Sequence, residues 1–164
     1  MEWTTELRYK RYEDWTEEEK KQIKENMAKS PWHTHYHVEP TSGLLNDPNG
    51  FSYFDGKWIL FYQNFPFGAA HGLKSWVQLE SDDLVHFNET GVKVFPDTPL
   101  DSHGAYSGSA MQFDDKLFLF YTGNVRDENW IRHPYQIGAL MDKEGKIEKI
   151  NKILIDQPAD STDH

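Results

Sequence analysis

Phe51-Ser52-Tyr53-Phe54-Asp55-Gly56-Lys57-Trp58-Ile59-Leu60-Phe61-Tyr62-Gln63 reads as two aromatic, apolar strands folded back on each other around an Asp-Gly turn. Asp-Gly between two such runs is a strong short-range hairpin signal, because the tight turn needs positive φ at its centre. The device returns at Ala110-Met111-Gln112-Phe113, Asp114-Asp115-Lys116 and Leu117-Phe118-Leu119-Phe120-Tyr121, with Phe113 standing 59 positions after Phe54. A third strand follows each hairpin: Trp76-Val77-Gln78-Leu79-Glu80 before Ser81-Asp82-Asp83, and Ile137-Gly138-Ala139-Leu140-Met141 before Asp142-Lys143-Glu144-Gly145. Asp82 and Asp142 lie 60 positions apart, so two anchors agree within one residue. A repeat of that size, made of short antiparallel strands, matches a propeller blade with generous loops. Residues from about 40 to 164 hold two such units, whereas propellers close with roughly four to eight. The expectation is an all-β chain forming about two blades, the N-terminal part of a longer protein.

A helix precedes the strands. Thr16-Glu17-Glu18-Glu19 reads as a capping box, helix formers continue to Lys29, and Ser30-Pro31 ends the run. Its apolar stripe, Ile23 and Met27, is thin, so it should lie on the surface of something larger. The division expected is a helical arm over residues 1–31 and the partial propeller over 32–164. His33, His35 and His37 alternate and would share one face of a strand, an arrangement that could hold zinc. Flanking Trp32, Tyr36 and Val38 instead suggest an ordinary strand entering the first repeat, and no metal or cofactor is expected.

The balance of 17 Lys plus Arg against 27 Asp plus Glu gives a net charge of −10. Such a chain repels nucleic acid and anionic membranes, so neither is expected as a partner. Aromatic residues make up 15% of the chain, which suits a β-rich protein that stacks sugar rings. The absence of cysteine excludes disulfides and thiol catalysis. Met1-Glu2-Trp3-Thr4-Thr5-Glu6 is not a basic start followed by an apolar run, and no stretch approaches the roughly 18 apolar residues of a membrane span. A soluble, cytoplasmic protein is expected, with no oligomeric state implied.

Chemistry concentrates in Gly43-Leu44-Leu45-Asn46-Asp47-Pro48-Asn49-Gly50. Asn and Asp favour turns, Pro48 fixes φ and Gly50 permits a sharp exit, so Asp47 should sit in a rigid polar turn just before a strand. An ionised carboxylate fixed at the mouth of a sheet is suited to act as a nucleophile. Other acidic clusters read as structure. Asp82-Asp83 and Asp114-Asp115 suit turns. The adjacency of Asp101, Ser102 and His103 prevents triad geometry. Arg126-Asp127 reads as a solvated loop ion pair.

Taken in order, the Gly43–Gly50 segment, Phe61-Tyr62-Gln63, Ser81-Asp82-Asp83-Leu84-Val85-His86-Phe87, Tyr106-Ser107-Gly108-Ser109-Ala110 and Tyr121-Thr122-Gly123-Asn124 resemble glycoside hydrolase family 32, the β-fructofuranosidases. The resemblance runs from about Trp32 to His164 and is nearest the bacterial members that hydrolyse sucrose-6-phosphate. It implies a five-bladed propeller followed by a β-sandwich, and a retaining hydrolysis of the β-fructofuranosidic bond of sucrose-6-phosphate or sucrose. Asp47 would be the nucleophile. Asn46, Gln63, Trp76, Tyr106 and Ser107 would contact the small-molecule sugar substrate. Tyr106 stands where many members have Phe, His71-Gly72 where many have Trp-Gly, and Val77-Gln78 where many have Gly-His. The family's transition-state-stabilising Asp and acid/base Glu would lie past Thr162-Asp163-His164, so the isolated chain should be inactive. The alternative is a non-catalytic carbohydrate-binding module on the same propeller surface, since function lives in sites and not in folds.

Overall fold

The computed structural model describes residues 2–159, and these form two antiparallel four-stranded sheets, one after the other along the chain. The first contains β1 (Leu44–Phe54), β2 (Lys57–Phe65), β3 (Ser75–Ser81) and β4 (Asn88–Val94); the second contains β5 (Ala105–Phe113), β6 (Lys116–Arg126), β7 (Arg132–Met141) and β8 (Ile147–Lys149). Each is a meander in which sequence neighbours pair, so short connections suffice. The first hairpin turns on Asp55 and Gly56, at φ of 48° and 81°. A Cβ at Gly56 would meet nothing, so the demand for glycine there is conformational. Sequence reading finds three strands per unit and the sheets have four. β4 and β8 are edge strands with largely exposed or half-buried residues, so they lack the apolar alternation that announces a strand.

Period-two alternation sorts the side chains into layers. Phe54, Ile59, Phe61, Trp76 and Val94 of the first sheet meet Leu117, Leu119, Tyr121, Ile137, Ala139 and Met141 of the second in one shared core. The intervening residues face outward: Tyr62, Val77 and Leu79 cluster on the far side of the first sheet, and Phe118 and Phe120 lie half-buried on the far side of the second. One carboxylate is buried deep in this layering. Asp101 accepts from the Thr98 amide at 2.8 Å, the Thr98 hydroxyl at 2.7 Å, the Tyr121 hydroxyl at 2.9 Å and the Lys149 ammonium at 2.5 Å. It thereby ties β6 and the end of β8 to the connection between the sheets. Ser102 and His103 pair with each other at 3.0 Å while Asp101 turns into the core, so no triad forms.

The arm comprises α1 (Thr5–Arg8), a 3-10 turn at Tyr12–Asp14 and α2 (Glu17–Ala28). Thr16 and Glu19 form the capping box, with the Glu19 amide on the Thr16 hydroxyl at 3.2 Å and the Thr16 amide on the Glu19 carboxylate at 2.7 Å. α2 buries no residue. The arm docks through Trp15, stacked on Phe67 with centroids 4.3 Å apart, and through Arg11, which donates to the carbonyls of Ser102 and Pro96.

Two expectations are corrected. The His33–His37 segment is not a strand; it is irregular, with Trp32 and Tyr36 85% and 96% exposed. Pro31 and Pro40 bracket it and withhold backbone donors, and His33 pairs locally with Glu39 at 2.8 Å. Arg126 and Asp127 do not pair either: Arg126 donates to the Trp130 carbonyl, and Asp127 binds His133 at 3.0 Å and the amides of Asn129 and Ile131. The Thr162–His164 segment lies outside the described residues. Among the described residues no helix is long and apolar enough to cross a membrane.

Leu119 is fully buried between the sheets. Leu119→Ala should destabilise the fold by about 2–5 kcal/mol through lost transfer energy and the cavity left behind, read as a lower urea midpoint at unchanged slope.

Candidate active site

Asn46–Gly50 does not form a turn ahead of a strand; it runs inside β1. The pairing with β2 steps from Leu45↔Asn64 to Pro48↔Tyr62, and again from Asn49↔Phe61 to Ser52↔Ile59, each step placing one extra residue on β1. These are bulges, which break the ladder locally and re-aim side chains. Pro48 fits such a place because it has no amide hydrogen to contribute. Gly50 sits at φ 56°, and a Cβ there would come within 2.9 Å of the Phe61 ring and 3.1 Å of the Ala110 methyl. The turn-forming residues are thus spent on bending a strand, and Asp47 projects from the bent segment.

Three elements aim at that carboxylate. Ser107, on β5 in the second sheet, donates its hydroxyl to Asp47 Oδ2 at 2.6 Å. Gln63, on β2 and 1% exposed, donates Nε2 to the same oxygen at 3.0 Å and to Ser107 Oγ at 3.1 Å. Lys74, in the loop leading into β3 and 5% exposed, donates Nζ to Gln63 Oε1 at 3.3 Å. The convergence depends on Asn49, which is buried. Its Nδ2 donates to the Asp47 carbonyl at 2.8 Å and its Oδ1 accepts the Gly108 amide of β5 at 2.9 Å.

The surroundings keep Asp47 ionised. Its pKa lies below the ordinary 3.8, first through the Ser107 hydrogen bond, which outweighs the rise from burial, and then through a hydrogen bond from its own backbone, the Lys74 charge and Gln63. Burial lowers Lys74, an effect that Asp47 partly offsets. Burial also lowers His71, and the charges of Lys74 and Arg8 add to that. These groups line a cleft of about 210 Å³ with Asn46, Tyr106, Thr122 and Arg132. It is smaller than the roughly 300–1,000 Å³ of sites for drug-sized ligands, so one sugar ring would fill it. Asp47 is the one carboxylate among the described residues lining it. A larger groove, about 790 Å³, lies between α2 and the first sheet, over Tyr12, Phe67 and Phe95, but no such polar constellation converges in it.

Of the residues singled out from sequence, Asn46, Asp47, Gln63, Tyr106 and Ser107 come together at this cleft. Asn46 Oδ1 is buried without a partner, and Tyr106 lies with Lys74 and Arg132 near its ring at 5.0 and 5.1 Å. Trp76 does not join them. It is fully buried against Phe61 and Tyr121, and its indole donates to the Tyr106 carbonyl at 3.0 Å. Its face is taken by core packing, so it supports the cleft from behind. Gln78 is also away from the cleft, donating to Glu80 at 2.7 Å. Asn49, Lys74 and Arg132 were missed. Lys74 carried a signal, a lone cation between Leu73 and the buried strand Ser75-Trp76-Val77. Arg132 carried none; its position over Tyr106 follows from the β6–β7 register.

The profile of "Glycosyl hydrolases family 32 N-terminal domain" matches residues 37–164. The chain is 71% identical over 158 residues to a sucrose-6-phosphate hydrolase of Streptococcus mutans, a match covering 96% of this chain and 33% of that protein. It is 53% identical to the Lactococcus lactis sucrose-6-phosphate hydrolase, over 100% of this chain and 35% of the relative. Its fold superposes on the structure of the Lactobacillus gasseri sucrose-6-phosphate hydrolase with a TM-score of 0.92 at 51% identity, over 96% of this chain and 32% of that one. A mutant Bombyx mori β-fructofuranosidase in complex with sucrose matches at a TM-score of 0.72 and 29% identity, over 91% and 33% of the two chains. The chain thus spans about a third of the length of the curated relatives it matches.

The Ser107 bond makes the largest contribution to the lowered Asp47 pKa, so Ser107→Ala should raise it, as read by carboxyl-carbon NMR titration. The sign for stability follows. A depressed carboxylate stabilises the fold above its unfolded pKa and ceases to as pH falls through its folded value. Ser107→Ala should therefore narrow the difference in acid stability between pH 5 and lower pH, and an unmoved Asp47 titration would refute the assignment.

Proposed function

The chain belongs to glycoside hydrolase family 32, and on that footing we propose that it supplies the nucleophile and the fructosyl-binding wall of a retaining β-fructofuranosidase. The substrate proposed is sucrose-6-phosphate, the substrate named for its relatives, with sucrose as the second choice. The observation that carries this reading is the convergence of Asp47, Gln63 and Ser107, from three strands of two sheets, on one carboxylate oxygen. The two sheets are read as successive blades of a five-bladed propeller with the helical arm, residues 1–31, laid against them. Side-by-side β1 and β5, joined by Asn49, support that reading. The protein is placed in the cytoplasm, where a phosphorylated disaccharide is retained by its charge.

We give the two oxygens of Asp47 distinct duties. Oδ2 accepts from both Ser107 and Gln63, whereas Oδ1 takes no side-chain hydrogen bond among the described residues. Oδ2 is the anchor, and Oδ1 keeps its lone pairs for the anomeric carbon. Attack forms the ester bond of a fructosyl-enzyme as the bond to the glucosyl oxygen breaks, and that oxygen takes a proton from a second carboxylic acid. Water, deprotonated by the same group, then cleaves the ester and regenerates Asp47. In retaining enzymes the two carboxyl groups lie about 5–5.5 Å apart. No second carboxyl lines the cleft among the described residues, and the acid/base is read as coming from the part of the relatives' length that this chain does not span. Asn46, Tyr106 and Ser107 are assigned to the fructosyl hydroxyls. The exposed Ser107 hydroxyl can serve Asp47 and substrate in turn, while Trp76 braces Tyr106 through its carbonyl.

The full-length protein should release glucose-6-phosphate from sucrose-6-phosphate, and Asp47→Asn should cut kcat by roughly 10⁴–10⁶-fold, the scale of losing a covalent nucleophile. The 164-residue chain alone should release no reducing sugar, since no second carboxyl lines the cleft among the described residues. Full activity in Asp47→Asn would refute the proposal.

A further inference from the structure

Lys74 is an expensive residue for its place. Its ammonium is almost fully buried, and among the described residues no carboxylate comes within ion-pair distance of it. A buried charge without a counter-ion is costly unless its hydrogen bonds and field are used. Two uses are visible. Nζ donates to Gln63 Oε1 at 3.3 Å, and it stands 5.0 Å from the Tyr106 ring centre, where the π face attracts a cation.

The contact with Gln63 has a direction that the glutamine cannot choose. A carboxamide offers an acceptor at one end and donors at the other, and an ammonium can only donate. Lys74 therefore requires Oε1 to face it, which turns Nε2 toward Asp47 and Ser107. Were the amide reversed, Oε1 would confront the Asp47 carboxylate and Nε2 the ammonium, two repulsions in place of two attractions. With Nε2 so placed, Asp47 Oδ2 is occupied and Oδ1 is left open.

We propose that Lys74 is a positioning residue for Asp47, acting through Gln63: it sets the carboxamide so that one carboxylate oxygen is anchored and the other is presented. This rests on Asp47 being the nucleophile. The other charged and titratable groups at the cleft among the described residues are His71, Arg132 and Tyr106. Arg132 is committed to Asn124 at 2.6 Å, and neither it nor His71 touches Gln63 in the hydrogen bonds formed there. Lys74 alone of these cations reaches the glutamine.

The test is kinetic, on the full-length protein with sucrose-6-phosphate. Lys74→Met should lower kcat by about 10–100-fold, the scale of a slightly misplaced reacting group, with KM little changed. It should also move the acid limb of kcat/KM to higher pH, and Lys74→Arg should restore most of both. In a double-mutant cycle, adding Lys74→Met to Gln63→Leu should cost almost nothing beyond Gln63→Leu, because the pair acts as one unit. Wild-type kcat and acid limb in Lys74→Met would overturn the proposal. Full additivity would do the same, as would a rise in KM with kcat unchanged, which would make Lys74 a substrate contact. Should Lys74→Met not fold, Lys74→Gln keeps a donor without the charge: an acid limb moved upward supports the proposal, and one left in place refutes it. Asp47→Asn in the same series separates the readings, since its full activity refutes the nucleophile itself, whereas its loss beside an indifferent Lys74→Met refutes the positioning role alone.

Discussion

The carboxamide of Asn49 is the joint on which the cleft depends. Apolar packing between the two sheets is large but non-directional, and it would tolerate sliding of one sheet along the other. A buried amide with both ends engaged does not. Nδ2 holds the Asp47 carbonyl within its own strand, and Oδ1 accepts the amide of Gly108 in the neighbouring sheet. Gly108 is the residue after Ser107, so this bond sets where the serine hydroxyl arrives. A small slip between the sheets would lengthen the 2.6 Å contact from Ser107 to Asp47 past any useful hydrogen bond. The motif that supplies the carboxylate thus also supplies the means of locating its partner on another sheet.

Charge around the cleft runs against that of the chain. The chain carries −10, yet among the described lining residues Lys74 and Arg132 stand beside the one carboxylate of Asp47. Exposed charges more than about 8 Å away are largely screened at physiological salt, while buried ones are not. Asp47 therefore responds to Lys74 and Ser107 far more than to the distant acidic surface. Its lowered pKa is a local property, made first by the Ser107 hydrogen bond, with its own backbone, the Lys74 charge and Gln63 adding to it.

Much of this was legible in the chain itself, for physical reasons that can be named. Asp55-Gly56 announces its turn because few other residue pairs take two consecutive left-handed positions, and the strands around it alternate clearly. β4 and β8 were hidden because an edge strand can be polar on both faces. Asn46–Gly50 was misjudged in its form: Asn, Asp, Pro and Gly are the residues of turns and equally of bulges, and only the partner strand decides between them. Pairing with β2 on both sides kept this segment in the sheet. Trp76 shows a different limit. A tryptophan on a strand can be core or sugar platform, and the choice was made by Tyr121, more than forty positions away, whose ring closes over it. Asn46, Asp47, Gln63, Tyr106 and Ser107 could be gathered from a resemblance of motifs. Lys74 belonged to none of them, and its part follows from a hydrogen-bond direction that no linear pattern records.

The proposed division of one reaction between distant parts of a longer protein would have a physical basis in the same cleft. A nucleophile, the role proposed for Asp47, must be ionised at working pH, and donors with a nearby cation lower the Asp47 pKa. A leaving-group acid must keep its proton, which calls for the opposite surroundings: burial, no nearby cation, a carboxylate close enough to repel its ionised form. Both conditions cannot be met within the shell made by Ser107, Gln63 and Lys74, because whatever lowers one pKa there would lower the other. On the proposed reading, the second carboxyl would approach from a side that this shell does not reach, across the Oδ1 face of Asp47. A ring of blades, each contributing one strand end to a common mouth, provides such sides at fixed separations. Once Asp47 is ionised and close by, its charge raises the pKa of the arriving acid, so each group helps set the other in its required state.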